Sequence, residues 1–250
     1  MYLFINFSYF WCKIRILKRI LLYIKGILGC FYYKKTYSQY AEDIILENLF
    51  KLLNIKKGFY VDVGAFHPIY ASNTHKLYKK GWRGINIEGD KDKMFLFNLF
   101  RRKDTNINVL VNNQDNVTVE FYKPKGSRSY GSMSSIIRRD GYESKNQFKS
   151  YRLSTILKPY NIKHIDLLSI DLEGIDEKII LDFDFEEYKP DIMIVESYKI
   201  DIDLIIESDV YKLLKSKEYF LFSWASPSLI FLSRKIHDKL EIRRNLYNHN

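Results

Sequence analysis

Short apolar runs that end in an acid constrain this chain most. Phe59-Tyr60-Val61-Asp62-Val63 runs straight into Gly64-Ala65, and Gly84-Ile85-Asn86-Ile87-Glu88 follows soon after. Ile165 to Asp171 and Ile192 to Glu196 take the same form further on, and Ile107 to Val111 is a like run without the acid. Apolar runs of about four to eight residues bounded by turn residues are the pattern of strands buried on both faces. Helical stretches separate them. Ser38 is placed to cap a helix with Glu42 and Asp43 in its first turn, Ile44, Ile45, Leu49, Phe50 and Leu53 behind, and Gly58 as its stop. Asn73 to Lys80 (closed by Gly81), Met94 to Phe100, residues 151–158, Ile175 to Phe183 and residues 203–217 read as further helices. Alternation of this kind predicts an α/β fold, a mostly parallel sheet with helices on both faces. Tyr219 to Ser223 and Leu229 to Ser233, joined by a short Ser/Pro turn, close the pattern as a hairpin and set one strand antiparallel. Residues 117–122 alternate as a β element, whereas the polar, Ser-rich stretch 123–150 reads as a long excursion from the core.

Charge divides the chain into three parts. The 250 residues carry 40 Lys and Arg against 30 Asp and Glu, a net +10. Residues 1–35 hold seven of the bases and no acid, residues 234–250 net +3, and residues 36–233 balance at 28 of each sign. The division predicts an N-terminal segment (1–35), a neutral body (36–233) and a basic C-terminal tail (234–250). A neutral body without a zinc finger or an RNA-binding aromatic signature argues against nucleic acid as a partner. Cys12 and Cys30 both lie in the first segment, which excludes a disulfide framework and a Cys-based zinc site.

The apolar stretch 2–12 is too short to span a bilayer, which takes about 20 residues. Its positive charges follow it, whereas a secretory signal carries them in front. Ile14, Leu17, Leu21, Ile24, Leu28 and Phe31 form one helical stripe, with Lys13, Lys18, Arg19 and Lys25 largely off it. A basic amphipathic helix can lie in an anionic membrane interface, and it can equally pack on protein. The expectation is a cytoplasmic protein, with residues 1–31 available for peripheral contact at the inner face of a membrane.

Asp62, Glu88, Asp171 and Glu196 sit at or near successive strand ends, and ligands of such sheets bind beyond the carboxyl ends of the strands. Gly64 and Ala65 let a ligand approach backbone. Glu88, 26 residues after Asp62, is placed to accept hydrogen bonds from the ribose hydroxyls of a nucleoside cofactor. The G-x-G-x-x-G cradle for a pyrophosphate is missing, which fits a cofactor without phosphates, such as S-adenosylmethionine.

These residues resemble the FkbM family of S-adenosylmethionine-dependent methyltransferases. The resemblance rests on Ser38-Gln39-Tyr40-Ala41-Glu42-Asp43, GFYVDVGAFHP (58–68), SNTHKLYKKGWRGINIE (72–88), IDLLSIDLEG (165–174) and KPDIMIVE (189–196), and it covers residues 37–233. It implies a Rossmann-like seven-stranded methyltransferase sheet, methyl transfer to oxygen, and a sugar or glycan acceptor. Asp62, Gly64 and Ala65 match the cofactor loop, Glu88 the ribose acid, and Asn112 lies where residues near the adenine are expected. Phe66, His67 and Pro68 replace the Asn and further glycine that many members carry, and Gly89-Asp90 replaces the usual turn after the acid.

A hydroxyl acceptor must lose a proton, so a general base is expected. Asp171 is the first candidate, at the strand end facing the pocket and beside the cofactor. Glu173 and His67 are alternatives, against which stand a helix-start acid and a histidine packed beside Pro68. No spacing demands a metal ion. Gln39, Glu42 and Asp43 are candidates to reach the pocket, though capping accounts for the acids as well. Residues 121–158 net +7, which points to an anionic acceptor or to a solvated charged loop. Two rivals keep the fold: a methyltransferase acting on a lipid or small natural product, and a non-catalytic membrane-associated protein.

Overall fold

The computed structural model describes residues 16–27, 34–124, 135–138 and 140–248. Contacts divide the chain into one unit within residues 1–35 and another spanning residues 36–250. In the first, residues 16–27 form helix α1, and the stripe residues Leu17, Leu21 and Ile24 are exposed. Ile14, Leu28 and Phe31 of that stripe lie outside the described residues, as do Cys12 and Cys30. No described helix is long and apolar enough to cross a membrane.

The second unit is built on a seven-stranded sheet. Its strands are β1 (Phe59–Val63), β2 (Arg83–Glu88), β3 (Thr105–Asn108), β7 (Leu167–Ile170), β8 (Ile192–Glu196), β9 (Tyr219–Ala225) and β10 (Ser228–Ser233). They lie in the order β3-β2-β1-β7-β8-β10-β9, all parallel except β10, which runs antiparallel to both its neighbours. Two successive residues point to opposite sides of a sheet, and the two cores follow that alternation. Val61, Val63, Ile85, Ile87, Leu168, Ile170, Met193 and Val195 face one way. They pack on α5 (Leu153–Leu157), α6 (Asp176–Leu181), α7 (Ile202–Glu207) and α8 (Asp209–Ser216), through Ile156, Ile179, Ile205 and Leu214. Tyr60, Leu167, Ile192, Ile194, Ile230 and Leu232 face the other way. They pack on α2 (Glu42–Leu52), α3 (His75–Lys79) and α9 (Arg234–Asn248), through Leu46, Leu49, Leu77, Ile236 and Leu240. The Rossmann-like sheet with helices on both faces is therefore the one expected. The residues after β10, expected as a basic tail, form α9 and bury Ile236 and Leu240.

Two local expectations change. The run from Ile107 to Val111 is not one strand. It breaks at Val109, so that β3 stays in the main sheet while β4 (Leu110–Val111) enters a second one. The excursion at 123–150 is only partly a loop: β6 (Tyr142–Tyr151) pairs antiparallel with β5 (Val117–Pro124) and parallel with β4. Polar composition hid β6, because this sheet is largely solvated and has no continuous apolar run to reveal it.

Candidate active site

Strand order fixes where a ligand can enter. From β1 the chain winds outward to β2 and β3 on one side, while β7 and β8 lie on the other. The reversal between β1 and β7 opens a crevice beyond their carboxyl ends. Gly64 ends β1 there and Asp171 ends β7. The Asp171 N–H donates to the Val63 carbonyl at 3.0 Å, and the Gly64 N–H to the Ile87 carbonyl at 2.9 Å. A cleft at this point is lined by Gly64, Glu88, Lys93, Asp171 and Glu173, among others. Its far wall is the second sheet, through Leu110, Val111 and Phe121, and Gln39 reaches it from the N-terminal side.

Each acid on the rim has a distinct setting. Glu88 is buried, with Oε2 accepting from the Phe66 N–H at 2.9 Å and Oε1 from the Asp90 N–H at 2.7 Å. Burial raises its pKa. Asp90 in turn accepts from the Asp92 N–H and caps α4 (Lys91–Phe100). Asp171 has Oδ1 sealed from solvent with no hydrogen-bond partner. Burial first, and Glu196 next, push its pKa well above the usual carboxylate range. Glu173 is buried in a left-handed turn at φ +55°. That turn is held by Asp176, which accepts from the Leu172 N–H at 2.7 Å and the Gly174 N–H at 3.0 Å.

Asp62, Ala65, His67 and Asn112 do not line the cleft. Alternation along β1 turns Asp62 away toward α3, where the Thr74 hydroxyl donates to it at 2.6 Å. Ala65 packs with Met94 and Phe97 of α4. His67 stacks on Tyr70, and its Nδ1 accepts from the Ile69 and Tyr70 N–H groups. Burial and Lys93 hold its pKa down at about 4. Asn112 is tied to Ser150 and to the Asn113 N–H, and its neighbours Val109, Leu110 and Val111 take the cleft wall instead. Glu42 and Asp43 are engaged inside the body: Glu42 accepts from Ser228 and the Tyr40 N–H, and Asp43 from Thr36, Ser38 and the Tyr37 N–H.

Two cations were not legible as site residues. Arg101, fully buried, reaches Asp104 at 3.0 Å, the Pro68 carbonyl at 3.1 Å, the Tyr60 hydroxyl at 2.6 Å and Thr74 at 2.9 Å. It ties the loop after β1 to the strands beneath and holds Thr74 against Asp62. Lys93 is buried, sits 4.4 Å over the Phe66 ring, and is the only cation among the described residues of the cleft wall. Burial lowers its pKa, opposed by Glu88. The available signal was spacing: Lys93, Phe97 and Arg101 recur every four residues, which puts all three on one face of α4.

Among the described residues, two clusters have ligand atoms close enough together for an ion: His164, Asp166 and Asp191, and His237, Asp238 and Glu241. Neither lines the cleft. In the first, Lys235 already lies 3.1 Å from both Asp191 oxygens.

A doubly wound sheet with a glycine turn at its switch point and a pinned acid at the next strand tip is the architecture of the Rossmann-like methyltransferases. The family model of the methyltransferase FkbM domain matches residues 62–219. The chain belongs to that family and is a methyltransferase. No curated protein matches it.

Two features fit a nucleoside-bearing methyl donor. A Cβ at Gly64 would stand 1.8 Å from the Asp171 carbonyl oxygen, so only glycine lets the ends of β1 and β7 close up beside the crevice. The unpartnered Asp171 Oδ1 offers a buried acceptor of the sign that a sulfonium or an amino group would meet.

Proposed function

We propose that this methyltransferase transfers the methyl group of S-adenosylmethionine to a hydroxyl oxygen on a sugar or glycan precursor. The observation that carries the donor is Glu88, whose carboxylate is pinned by two backbone N–H groups at the tip of β2 and faces the cleft. A carboxylate held this way is preorganised to accept from two ribose hydroxyls. Gly64 borders the cleft, and Val109 to Val111 with Phe121 offer the apolar wall an adenine requires.

When bound, S-adenosylmethionine supplies an electrophilic methyl on a sulfonium centre. The chain's own part is to align an acceptor oxygen and take its proton. Asp171 is the residue for that proton, because its Oδ1 lacks a partner and its raised pKa suits it to hold one. Glu173, beside it in the cleft, is the reserve candidate. His67 is poorly set for the task, since its Nδ1 is already used as an acceptor.

Calorimetric titration with S-adenosylmethionine tests the donor, and absence of binding to the full chain would end this reading. A screen with methyl-labelled donor against surface glycans, lipid-linked precursors and small natural products tests the acceptor. Labelling confined to lipids or small natural products would replace the glycan reading with its rival.

A second proposal concerns location. The exposed Leu17, Leu21 and Ile24 share α1 with Lys18, Arg19 and Lys25, and residues 1–35 hold no acid, a composition suited to the anionic inner face of a membrane. The full chain should co-sediment with anionic vesicles and a chain beginning at Tyr37 should not. Equal sedimentation of the two would remove the proposal.

A further inference from the structure

Strand register makes a pair of two rim acids. Ile170 of β7 lies opposite Val195 of β8, so the next residues along, Asp171 and Glu196, stand opposite one another. Parallel neighbours are about 4.8 Å apart, and the charge of Glu196 is among the causes that raise Asp171. Carboxylates this close do not both ionise readily, so the stable state holds one proton between them. The surroundings reinforce that. Glu173 from the turn before α6, Asp176 from the first position of that helix and, more weakly, Asp62 from β1 add negative charge around the pair. Across β10, Ser228 lies opposite Glu196 and is bonded to Glu42. Lys93 is the cation on the Glu173 side. Tyr198 donates its hydroxyl to Glu196 Oε2 at 2.8 Å. Asp171, whose Oδ1 is sealed and without a partner, lines the cleft.

We propose that Asp171 and Glu196 act as one carboxyl pair sharing a single proton, in which Asp171 Oδ1 takes the proton of the acceptor hydroxyl and Glu196, oriented by Tyr198, is the positioning residue that sets the pH range in which it can. This rests on the methyl-transfer reading. As the acceptor's O–H bond breaks, its electron pair remains on the oxygen that bonds to the methyl carbon. The carbon–sulfur pair stays on sulfur, which becomes a neutral thioether, and the proton passes to Asp171 Oδ1. The shared proton then leaves from Glu196 to solvent, which restores the singly protonated pair. Glu196 titrates at about 7, raised first by burial, which supports a proton held near neutral pH.

The test is the carboxyl C=O infrared band of the full chain, followed from pH 5 to 9. Wild type should show a buried carboxyl that loses its proton near neutral pH. Both Glu196→Gln and Asp171→Asn should move the midpoint of that titration, because the proton belongs to the pair and either substitution leaves a single buried acid in its place. If only one variant moves it, the acid is independent and the pair is refuted. Should either variant fail to fold, Tyr198→Phe decides: loss of its bond to ionised Glu196 should move the midpoint upward, and an unmoved midpoint overturns the assignment. Failure of wild type to bind S-adenosylmethionine is a separate result, which defeats the methyl-transfer reading whatever the infrared titration shows.

Discussion

Gly64→Ala probes the point where fold and site meet, and its cost separates into two parts. Gly64 has φ +73°, and a Cβ there would lie 1.8 Å from the Asp171 carbonyl oxygen and 2.8 Å from its carbonyl carbon. The left-handed backbone alone costs a residue with a Cβ about 1–2 kcal/mol. The overlap is with main chain, which cannot rotate aside as a side chain would. The ends of β1 and β7 must part, at the expense of the Asp171 N–H bond to Val63. Overpacking of this kind costs about 1–3 kcal/mol, and a lost buried hydrogen bond about 1 kcal/mol more. The sum is about 3–6 kcal/mol.

Three other glycines isolate the parts. Gly81 and Gly141 have φ of +91° and +78°, but a Cβ at the first meets only Lys57 Cε at 3.7 Å and at the second nothing within 4 Å. Their alanine variants should show the backbone cost alone. Gly84 has no left-handed backbone, yet its Cβ would lie 2.2 Å from the Tyr60 ring, which gives the clash alone. Urea unfolding of the four variants, with calorimetric titration of S-adenosylmethionine on each, makes the comparison. Gly64→Ala should exceed Gly81→Ala by about 2 kcal/mol or more, the overlap and lost bond together. It should also weaken donor binding at least about tenfold, the effect of about 1.4 kcal/mol at the site. Equal destabilisation by the two, or unchanged donor affinity in Gly64→Ala, would refute the argument.

Other outcomes follow from the same contacts. Arg101→Met leaves Asp104 buried without its cation and should cost about 3–5 kcal/mol in denaturant unfolding; a change under 1 kcal/mol would mean the network is dispensable. Glu88→Gln keeps the shape but weakens acceptance from hydroxyls, and should raise the Kd for S-adenosylmethionine by about tenfold or more, since hydrogen bonds to charged groups are worth about 1.5–3 kcal/mol. Glu196 has a folded pKa raised from 4.5 to about 7. Its contribution to stability is thus fully present below pH 4.5 and lost as pH rises through 7. Glu196→Gln should therefore gain on wild type between those values, by at most about 3 kcal/mol; a difference that does not vary with pH would contradict the burial argument.

What the sequence made legible depended on how each residue type reports burial. The main strands were readable because apolar runs buried on both faces leave no ambiguity, and Glu88 was readable because an acid ending such a run has few other reasons to be there. Asp62 looked equivalent, but alternation in β1 sends it to Thr74 and the face that holds Tyr60. That follows from strand parity, which a one-dimensional pattern gives only once the buried faces are assigned. Strand β6 was hidden by its polar residues, and α9 by its charge, since among its described side chains only Ile236 and Leu240 belong to the core. Arg101 was the hardest to read: in Arg101-Arg102-Lys103-Asp104 it looks like part of a solvated turn, and only the positions of Tyr60, Thr74 and Pro68 reveal it as buried.

The fold also alters how the charge of the second sheet bears on the acceptor. Residues 36–233 balance at 28 of each sign, and nine of those bases with two of those acids lie in 121–158, which leaves 19 bases against 26 acids in the rest of the body. The excess of base in 121–158 is therefore matched by an excess of acid in the rest of the body. Lys123 lies 2.8 Å from Asp90 and 3.4 Å from Asp92, and Arg152 bonds Asp182 through two nitrogens at 2.9 and 2.7 Å. Arg139 and the stretch 125–134 lie outside the described residues. Burial works against the Asp90 charge, yet Lys123 holds its pKa below the usual value, so this cation steadies the cap of α4 behind Glu88. An anionic acceptor would compete with Asp90, Asp92 and Asp182 for those cations, and its reacting hydroxyl would still have to enter among Glu88, Asp171 and Glu173. Charge on the acceptor is thus tolerable only at a distance from the methylated oxygen. Loss of turnover on acidic acceptors when Arg138 and Arg139 are neutralised, with neutral acceptors unaffected, is the pattern that this arrangement requires of an anionic substrate.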